Sequence, residues 1–141
     1  MAVDLRPSAA DHPVLIVDDD ASVRTMLATM FKADGWEVLE AHDGDEGLNV
    51  TLKIHPWVAI VDVLMPGLDG LQLTRVLRQE GLGSEQLRIM IFTAGMTSEQ
   101  DAREAGADSL WLKSDWLGLR QALRADHLAP RRPSVRPTRP I

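Results

Sequence analysis

The chain has 141 residues, 45% hydrophobic and 26% charged, which is typical of a single soluble globular domain. It has no cysteine, so disulfides, thiolate metal sites and thiol catalysis are excluded. Residues 126–141 hold four arginines and one aspartate (+3), which leaves −9 on residues 1–125 of the total charge of −6. So acidic a body does not suit a duplex-binding surface, and we expect no direct contact with nucleic acid.

The ends of the chain indicate how the domain is bounded. Residues 1–12 show no periodicity and are expected to be a flexible lead, and residues 13–125 are expected to form the folded domain. From Pro130 proline alternates with arginine, so residues 126–141 are predicted to be an extended, disordered tail or linker. The tail has no aromatic residue to stack on bases, which favours a linker over a nucleic-acid contact. No apolar run approaches the roughly 20 residues that span a bilayer, and the start lacks the apolar core of a secretory signal, so a cytoplasmic protein without membrane insertion is expected.

The first buried strand is predicted at Val14–Val17, a short apolar run that leads into three consecutive aspartates. Adjacent carboxylates repel one another, and a bound cation would relieve that repulsion. We therefore expect a cation site at Asp18 and Asp19, and a helix cap at Asp20 or Ser22. The helix that follows is predicted to end at Gly35. Its apolar stripe has helical spacing and includes two methionines as core filler: Val23, Met26, Leu27, Met30 and Phe31.

The middle of the chain repeats the strand–helix pattern. Residues 36–41 predict a partly alternating strand near a sheet edge, and a helix follows from Asp43-Gly44 to about Lys53. The apolar run 58–61 then leads straight into Asp62. An ionised carboxylate cannot lie inside a strand that is buried on both faces, so Asp62 should mark the end of this strand. A Pro/Gly turn leads into a third helix, which is predicted to run from Gly70 to about Gly81.

The second half of the chain contains two more units of the same kind. Residues 87–92 predict a buried strand that ends at Thr93, and a short helix is expected over 98–107. Residues 110–112 predict a fifth strand that ends at Lys113. A final amphipathic helix is expected over 115–125, with one apolar face: Trp116, Leu119, Ala122 and Leu123.

Five strands that alternate with five helices predict an α/β doubly wound sandwich with a parallel sheet. Right-handed crossovers bring the carboxyl ends of all strands to one edge, which is where open parallel sheets bind ligands. Polar residues follow four of the strands, so this edge should gather one cluster: Asp18, Asp19, Asp62, Thr93 and Lys113.

This cluster suits phosphoryl transfer. Carboxylate oxygens are the ligands of Mg²⁺, and a carboxylate that is free of the metal can act as a nucleophile that forms an aspartyl-phosphate. A metal, a lysine and a hydroxyl can neutralise the oxygens of the transferring group. The sequence shows no glycine-rich phosphate loop and no general base, so the donor must bring its own leaving group.

Taken together, these residues resemble the receiver domain of two-component response regulators, the CheY-like family. The resemblance covers about residues 13–125 and implies a flavodoxin-like fold with strand order 2-1-3-4-5. It is based on motifs that lie at the strand ends and in the loops: Val17-Asp18-Asp19, Asp62 with Met65-Pro66-Gly67 and Asp69-Gly70, Thr93-Ala94, Ala105-Gly106-Ala107-Asp108, and Lys113.

The resemblance implies a role for each matching residue. Asp62 would accept a phosphoryl group from a sensor histidine kinase or a histidine phosphotransfer protein. Mg²⁺ would be bound by Asp19, Asp62 and the Leu64 carbonyl, with Asp18 acting largely through water. Thr93 and the Ala94 amide would hold the phosphoryl oxygens, and Lys113 would pair with the phosphate.

The resemblance also implies how the chain would act. It would catalyse its own phosphorylation stoichiometrically and would not be a turnover enzyme. Its output would go by protein–protein contact to a downstream target that the sequence does not name, and a homodimer is compatible with the sequence.

Three positions depart from the usual pattern of the family. Ser114 stands where the family has a proline after a cis peptide bond. A cis bond before serine costs about 3–4 kcal/mol, so we predict a trans bond and a rerouted 113–116 loop. Leu110 stands where the family has its switch aromatic, with Trp111 next to it, which argues against the usual threonine–aromatic rearrangement. The segment from Thr93 to Gly106 is shorter than usual, which predicts a trimmed fourth helix.

Two other functions are weighed against a phosphate switch. A phosphohydrolase with an aspartate nucleophile needs a second aspartate two residues later, and Leu64 stands there. A degenerate receiver that binds partners without phosphorylation is disfavoured by the complete polar set, although Leu110 and Ser114 are consistent with it.

Overall fold

The computed structural model describes residues 13–128, with side chains to residue 125. The predicted lead lies outside this range, as does the predicted tail beyond residue 128. Within it the strands are β1 (Val14–Val17), β2 (Val38–Ala41), β3 (Val58–Val61), β4 (Arg88–Thr93) and β5 (Ser109–Leu112). The helices are α1 (Ala21–Ala33), α2 (Gly44–Ile54), α3 (Gly70–Gln79), α4 (Glu99–Ala105) and α5 (Trp116–Leu128), and a 3₁₀ turn at Lys113–Asp115 precedes α5.

The five strands form one parallel sheet in the order β2-β1-β3-β4-β5, as predicted. Helices cover both faces, because the strands alternate their side chains between two apolar cores. One core packs Leu15, Val61 and Ile91 against α2, α3 and α4. The other packs Ile16 and Ile60 against α1 and α5. The fold is therefore the doubly wound, flavodoxin-like sandwich.

The starts of the helices follow the sequence. Asp20 caps α1 by accepting a hydrogen bond from the Ser22 amide at 2.9 Å, which confirms one of the two predicted caps. Asp69 begins α3 with a capping box, because its side chain and that of Gln72 each accept from the other's backbone amide. α4 has seven residues and is shorter than the 98–107 span expected from the sequence, while the trimming relative to the family stays a prediction.

The predicted apolar faces of α1 and α5 are each wrong at one residue. Met26 of α1 is 41% exposed and Trp116 of α5 is 42% exposed. In α1 the buried arc is centred between Leu27, Ala28 and Phe31, so the small Ala28 faces the sheet and Met26 points away. Trp116 is the first residue of α5 and directly follows the 3₁₀ turn, one turn before the buried Leu119.

A hydrogen-bond network ties α3 to the amino-terminal edge of the sheet. The Arg78 side chain donates to three backbone carbonyls and pairs with one carboxylate: Leu82, Leu87, Gly106 and Asp108. Asp108 also accepts from the Ile89 amide at 2.8 Å, at the start of β4. The Ala105–Asp108 motif thus connects α4, β4 and α3 on the side away from the polar strand ends. No helix among the described residues is long and apolar enough to cross a membrane.

Candidate functional site

Asp18 and Asp62 follow two adjacent strands at the carboxyl edge of the sheet. β1 and β3 pair Val17 with Val61, and the Asp62 amide donates to the Val17 carbonyl at 2.9 Å. Gly70 allows this geometry, because a Cβ at that position would overlap the Asp62 carbonyl oxygen. Both carboxylates are nearly enclosed, with residue exposures of 2% for Asp18 and 6% for Asp62.

Asp19 completes a cluster of three carboxylates, which we call the acid cluster: Asp18, Asp19 and Asp62. One oxygen from each residue lies within 4.8 Å of the others, and Asp19 is the exposed member. Oxygens on opposite sides of a Mg²⁺ ion lie about 4.2 Å apart, because Mg–O bonds are about 2.0–2.1 Å long. Small side-chain movements would therefore bring all three oxygens to one ion, and the donors are the hard oxygens that magnesium prefers. The acid cluster fits magnesium.

Lys113, the residue directly after β5, reaches the two buried carboxylates. Its Nζ lies 3.0 Å from Asp18 Oδ2 and 3.4 Å from Asp62 Oδ2. The lysine is the first residue of the 3₁₀ turn at 113–115, and no peptide bond among residues 13–128 is cis; the rerouted path of the 113–116 loop stays a prediction. The predicted trans bond between Lys113 and Ser114 is confirmed. A lysine 51 residues beyond Asp62 in the sequence thus contacts its carboxylate.

Burial and charge act in opposite directions on Asp62. Burial, with a smaller effect from the neighbouring Asp18 charge, raises the pKa of Asp62 from 3.8 to about 6, although Lys113 and the Val63 amide favour the ionised form. Burial would lower the pKa of Lys113, but its hydrogen bonds and charge contacts with Asp18 and Asp62 outweigh this and raise it. At pH 7 the structure therefore presents a mostly ionised Asp62 beside a charged ammonium.

The two oxygens of Asp62 have different surroundings. Oδ1 accepts a hydrogen bond from the Val63 amide at 2.9 Å, which fixes the rotation of the carboxylate. Oδ2 is the oxygen that faces Lys113. A fixed, ionised carboxylate beside a cation can act as a nucleophile towards an electrophile whose oxygens the cation neutralises.

The remaining predicted residues lie at the same edge of the sheet. Thr93 is the last residue of β4, pairs with Leu112 of β5 and is 1% exposed. Ala94 follows it and is exposed, and Leu64 in the loop after β3 is 61% exposed. The proposed roles of Thr93, the Ala94 amide and the Leu64 carbonyl stay predictions.

Sequence reasoning missed one residue that contacts the acid cluster. Arg24 of α1 donates from Nη1 to the Asp18 carbonyl at 2.6 Å. A signal was available, because Arg24 lies one turn into α1 and helical side chains incline towards the amino end of their helix.

Comparisons with known proteins agree with this geometry. A family model described as the response regulator receiver domain matches residues 14–122. The response regulator MprA of Mycobacterium avium (strain 104) is 41% identical over 97 residues, which cover 67% of this chain and 41% of that protein. The chain thus spans well under two thirds of the length of this relative.

Two solved structures are similar over most of the chain. A putative response regulator from Chloroflexus aurantiacus is 34% identical with a TM-score of 0.71, over 82% of this chain and 98% of that chain. The response regulator TrrA from Thermotoga maritima, in complex with Mg²⁺-BeF, is 26% identical with a TM-score of 0.69, over 80% of this chain and 98% of that chain.

Proposed function

The chain belongs to the response regulator receiver domain family, and we propose that Asp62 accepts a phosphoryl group from a histidine kinase or a histidine phosphotransfer protein in a Mg²⁺-dependent step. The observation that carries this proposal is the contact of Lys113 with both buried carboxylates of the acid cluster. It brings a nucleophile, a cation and hard metal ligands into one small site. The Mg²⁺-BeF complex of TrrA supports the same chemistry here.

In the proposed step an oxygen of Asp62 forms a bond to phosphorus as the phosphorus–nitrogen bond of a phosphohistidine breaks. The leaving imidazole nitrogen keeps the bonding electron pair. Magnesium, when bound, would neutralise charge on the transferring oxygens. Lys113 would move from the two carboxylates to a phosphoryl oxygen, and the Thr93 hydroxyl and Ala94 amide would donate hydrogen bonds to the others.

We further propose that the chain is a stoichiometric acceptor and not a turnover enzyme. The apolar, exposed Leu64 occupies the position from which a hydrolase of the aspartate-nucleophile class would deliver a general acid. Phosphorylation adds roughly −1.5 to −2 charge beside Thr93, and this would bias the surface that contacts a downstream protein. The step would take place in the cytoplasm, where ATP for the kinase is present.

Intact-mass measurement tests this proposal. The purified chain is mixed with Mg²⁺ and a small acyl phosphate, alongside the Asp62→Asn variant and an Asp45→Asn control on the exposed first turn of α2. We expect one phosphoryl adduct on the wild-type chain and on the control, and none on Asp62→Asn. An adduct of equal yield on Asp62→Asn, or steady phosphate release from unactivated esters, would contradict the proposal.

A further inference from the structure

We propose that Arg24 is a positioning residue for the acid cluster, holding the peptide unit between Asp18 and Asp19 in the orientation that metal binding needs. The inference rests on the proposed magnesium-dependent function and adds a residue that the strand-end motifs do not include. Arg24 touches neither the acceptor Asp62 nor, in the proposed reaction, the phosphoryl group. Its effect would pass through the backbone of the turn between β1 and α1.

The contacts of Arg24 join three elements. Its amide donates to the Asp20 carbonyl in the first turn of α1, and its side chain folds back towards the end of β1. There Nη1 donates to the Asp18 carbonyl at 2.6 Å. On the other side Nε lies 3.6 Å from Glu40 Oε1, on the edge strand β2. The Arg24 side chain is 18% exposed and that of Glu40 is 43% exposed, so water screens the contact with Glu40 more than the hydrogen bond to the Asp18 carbonyl.

The Asp18 carbonyl matters because of the peptide bond to which it belongs. A planar peptide unit links that carbonyl to the Asp19 amide, so its orientation sets the direction in which the Asp19 side chain leaves the backbone. The Asp18 side chain is already held, because its Oδ1 accepts from the Asp20 amide at 2.9 Å and its Oδ2 contacts Lys113. The exposed Asp19 carboxylate is the ligand whose placement depends most on the turn.

The arginine has a geometric role beyond its charge. A guanidinium presents several N–H donors in one plane, and here two of its nitrogens face two different elements. A lysine at position 24 would keep the positive charge near the acid cluster but offers one nitrogen on a flexible stem. The two substitutions Arg24→Met and Arg24→Lys therefore separate geometry from charge.

Calorimetric titration of the full chain with Mg²⁺ measures the effect directly. Removing a partner that orients a metal ligand typically weakens metal affinity 10- to 100-fold, so we expect the Kd for Mg²⁺ to rise about tenfold in Arg24→Met. We expect Arg24→Lys to bind Mg²⁺ almost as weakly as Arg24→Met does. Thermal unfolding without metal reports separately how much each substitution costs the fold.

Arg120→Met is the matched control. Arg120 of α5 makes a two-pronged ion pair with Asp34, the residue that follows α1 at its far end, and both of its hydrogen bonds are 2.8 Å long. Loss of this pair should lower the unfolding temperature but leave the Mg²⁺ affinity within about twofold, since the pair shares no partner with the acid cluster.

Each result has a defined meaning. A wild-type Mg²⁺ affinity in Arg24→Met, or full recovery in Arg24→Lys, would overturn the positioning role while leaving the proposed phosphate-acceptor function intact. A wild-type chain that binds no Mg²⁺ would overturn both. A loss in both Arg24 variants, with none in Arg120→Met, is the expected result.

Discussion

The burial of the Asp62 carboxylate, the proposed nucleophile, lowers the stability of the folded chain when this carboxylate is ionised. Its burial and the charge of Asp18 disfavour the ionised form, and the pKa near 6 records that cost. Lys113 reduces the cost without removing it. The sequence indicated that Asp62 ends a buried strand, because four apolar residues precede it. It did not indicate the pKa, since burial depends on how the loops close over the carboxylate.

Asp62→Asn should stabilise the metal-free chain at neutral pH. The folded pKa of Asp62 is raised, so the fold binds its proton more tightly than the unfolded chain does, and the wild-type chain loses stability as pH rises from about 3.8 to 6. Asparagine carries no such charge, so above pH 6 we expect the free energy of unfolding of the variant to exceed that of the wild-type chain by about 2–3 kcal/mol. The difference should shrink to nothing below about pH 4.

Urea unfolding between pH 3.5 and 8 measures this difference. The exposed Asp45→Asn control should stay within about 0.5 kcal/mol of the wild-type chain throughout. A variant less stable than the wild-type chain at pH 7 would show that the Lys113 contacts outweigh the burial of Asp62.

The secondary-structure elements were predictable to the extent that apolar spacing determines them. Runs such as 14–17 and 58–61 are too short for helices and too continuous for half-exposed strands, and both are central strands. The buried face of α1 was harder to predict. Large apolar residues dominate a periodic pattern, so the small Ala28 was not recognised as part of this face. The network around Arg78 joins residues up to 30 positions apart, so local spacing carries no sign of it.

Arg78→Met should destabilise the fold much more than a neighbouring change. It would remove the arginine partner of the partly buried Asp108 carboxylate and the Arg78 hydrogen bonds to three backbone carbonyls, which we expect to cost about 2–4 kcal/mol. Arg75→Met is the matched control, because Arg75 is exposed on the same helix and its loss should cost no more than about 0.5 kcal/mol. Denaturant unfolding at pH 7 gives both values, and equal costs would show that the network adds little to stability.

For the whole molecule, the topology of the sheet brings together site residues that no local motif could place near one another. The aspartates, Thr93 and Lys113 are distant in sequence, but parallel strands with right-handed crossovers must end at one edge of the sheet. That general rule predicts from the sequence that the three aspartates and Lys113 lie close together, as they do in the structure. Arg24 was not predicted, because its contact with the Asp18 carbonyl depends on the path of one turn and on the neighbouring Glu40.

Chemical mapping of the phosphorylated residue tests the central claim most directly. Borohydride reduces an aspartyl-phosphate to homoserine, so the chain is incubated with Mg²⁺ and a small acyl phosphate, reduced, digested and sequenced by mass spectrometry. We expect homoserine at position 62 alone, and only when Mg²⁺ is present. Homoserine at Asp18, Asp19 or any other aspartate in place of Asp62, or an equal yield without Mg²⁺, would contradict the assignment of Asp62 as the acceptor.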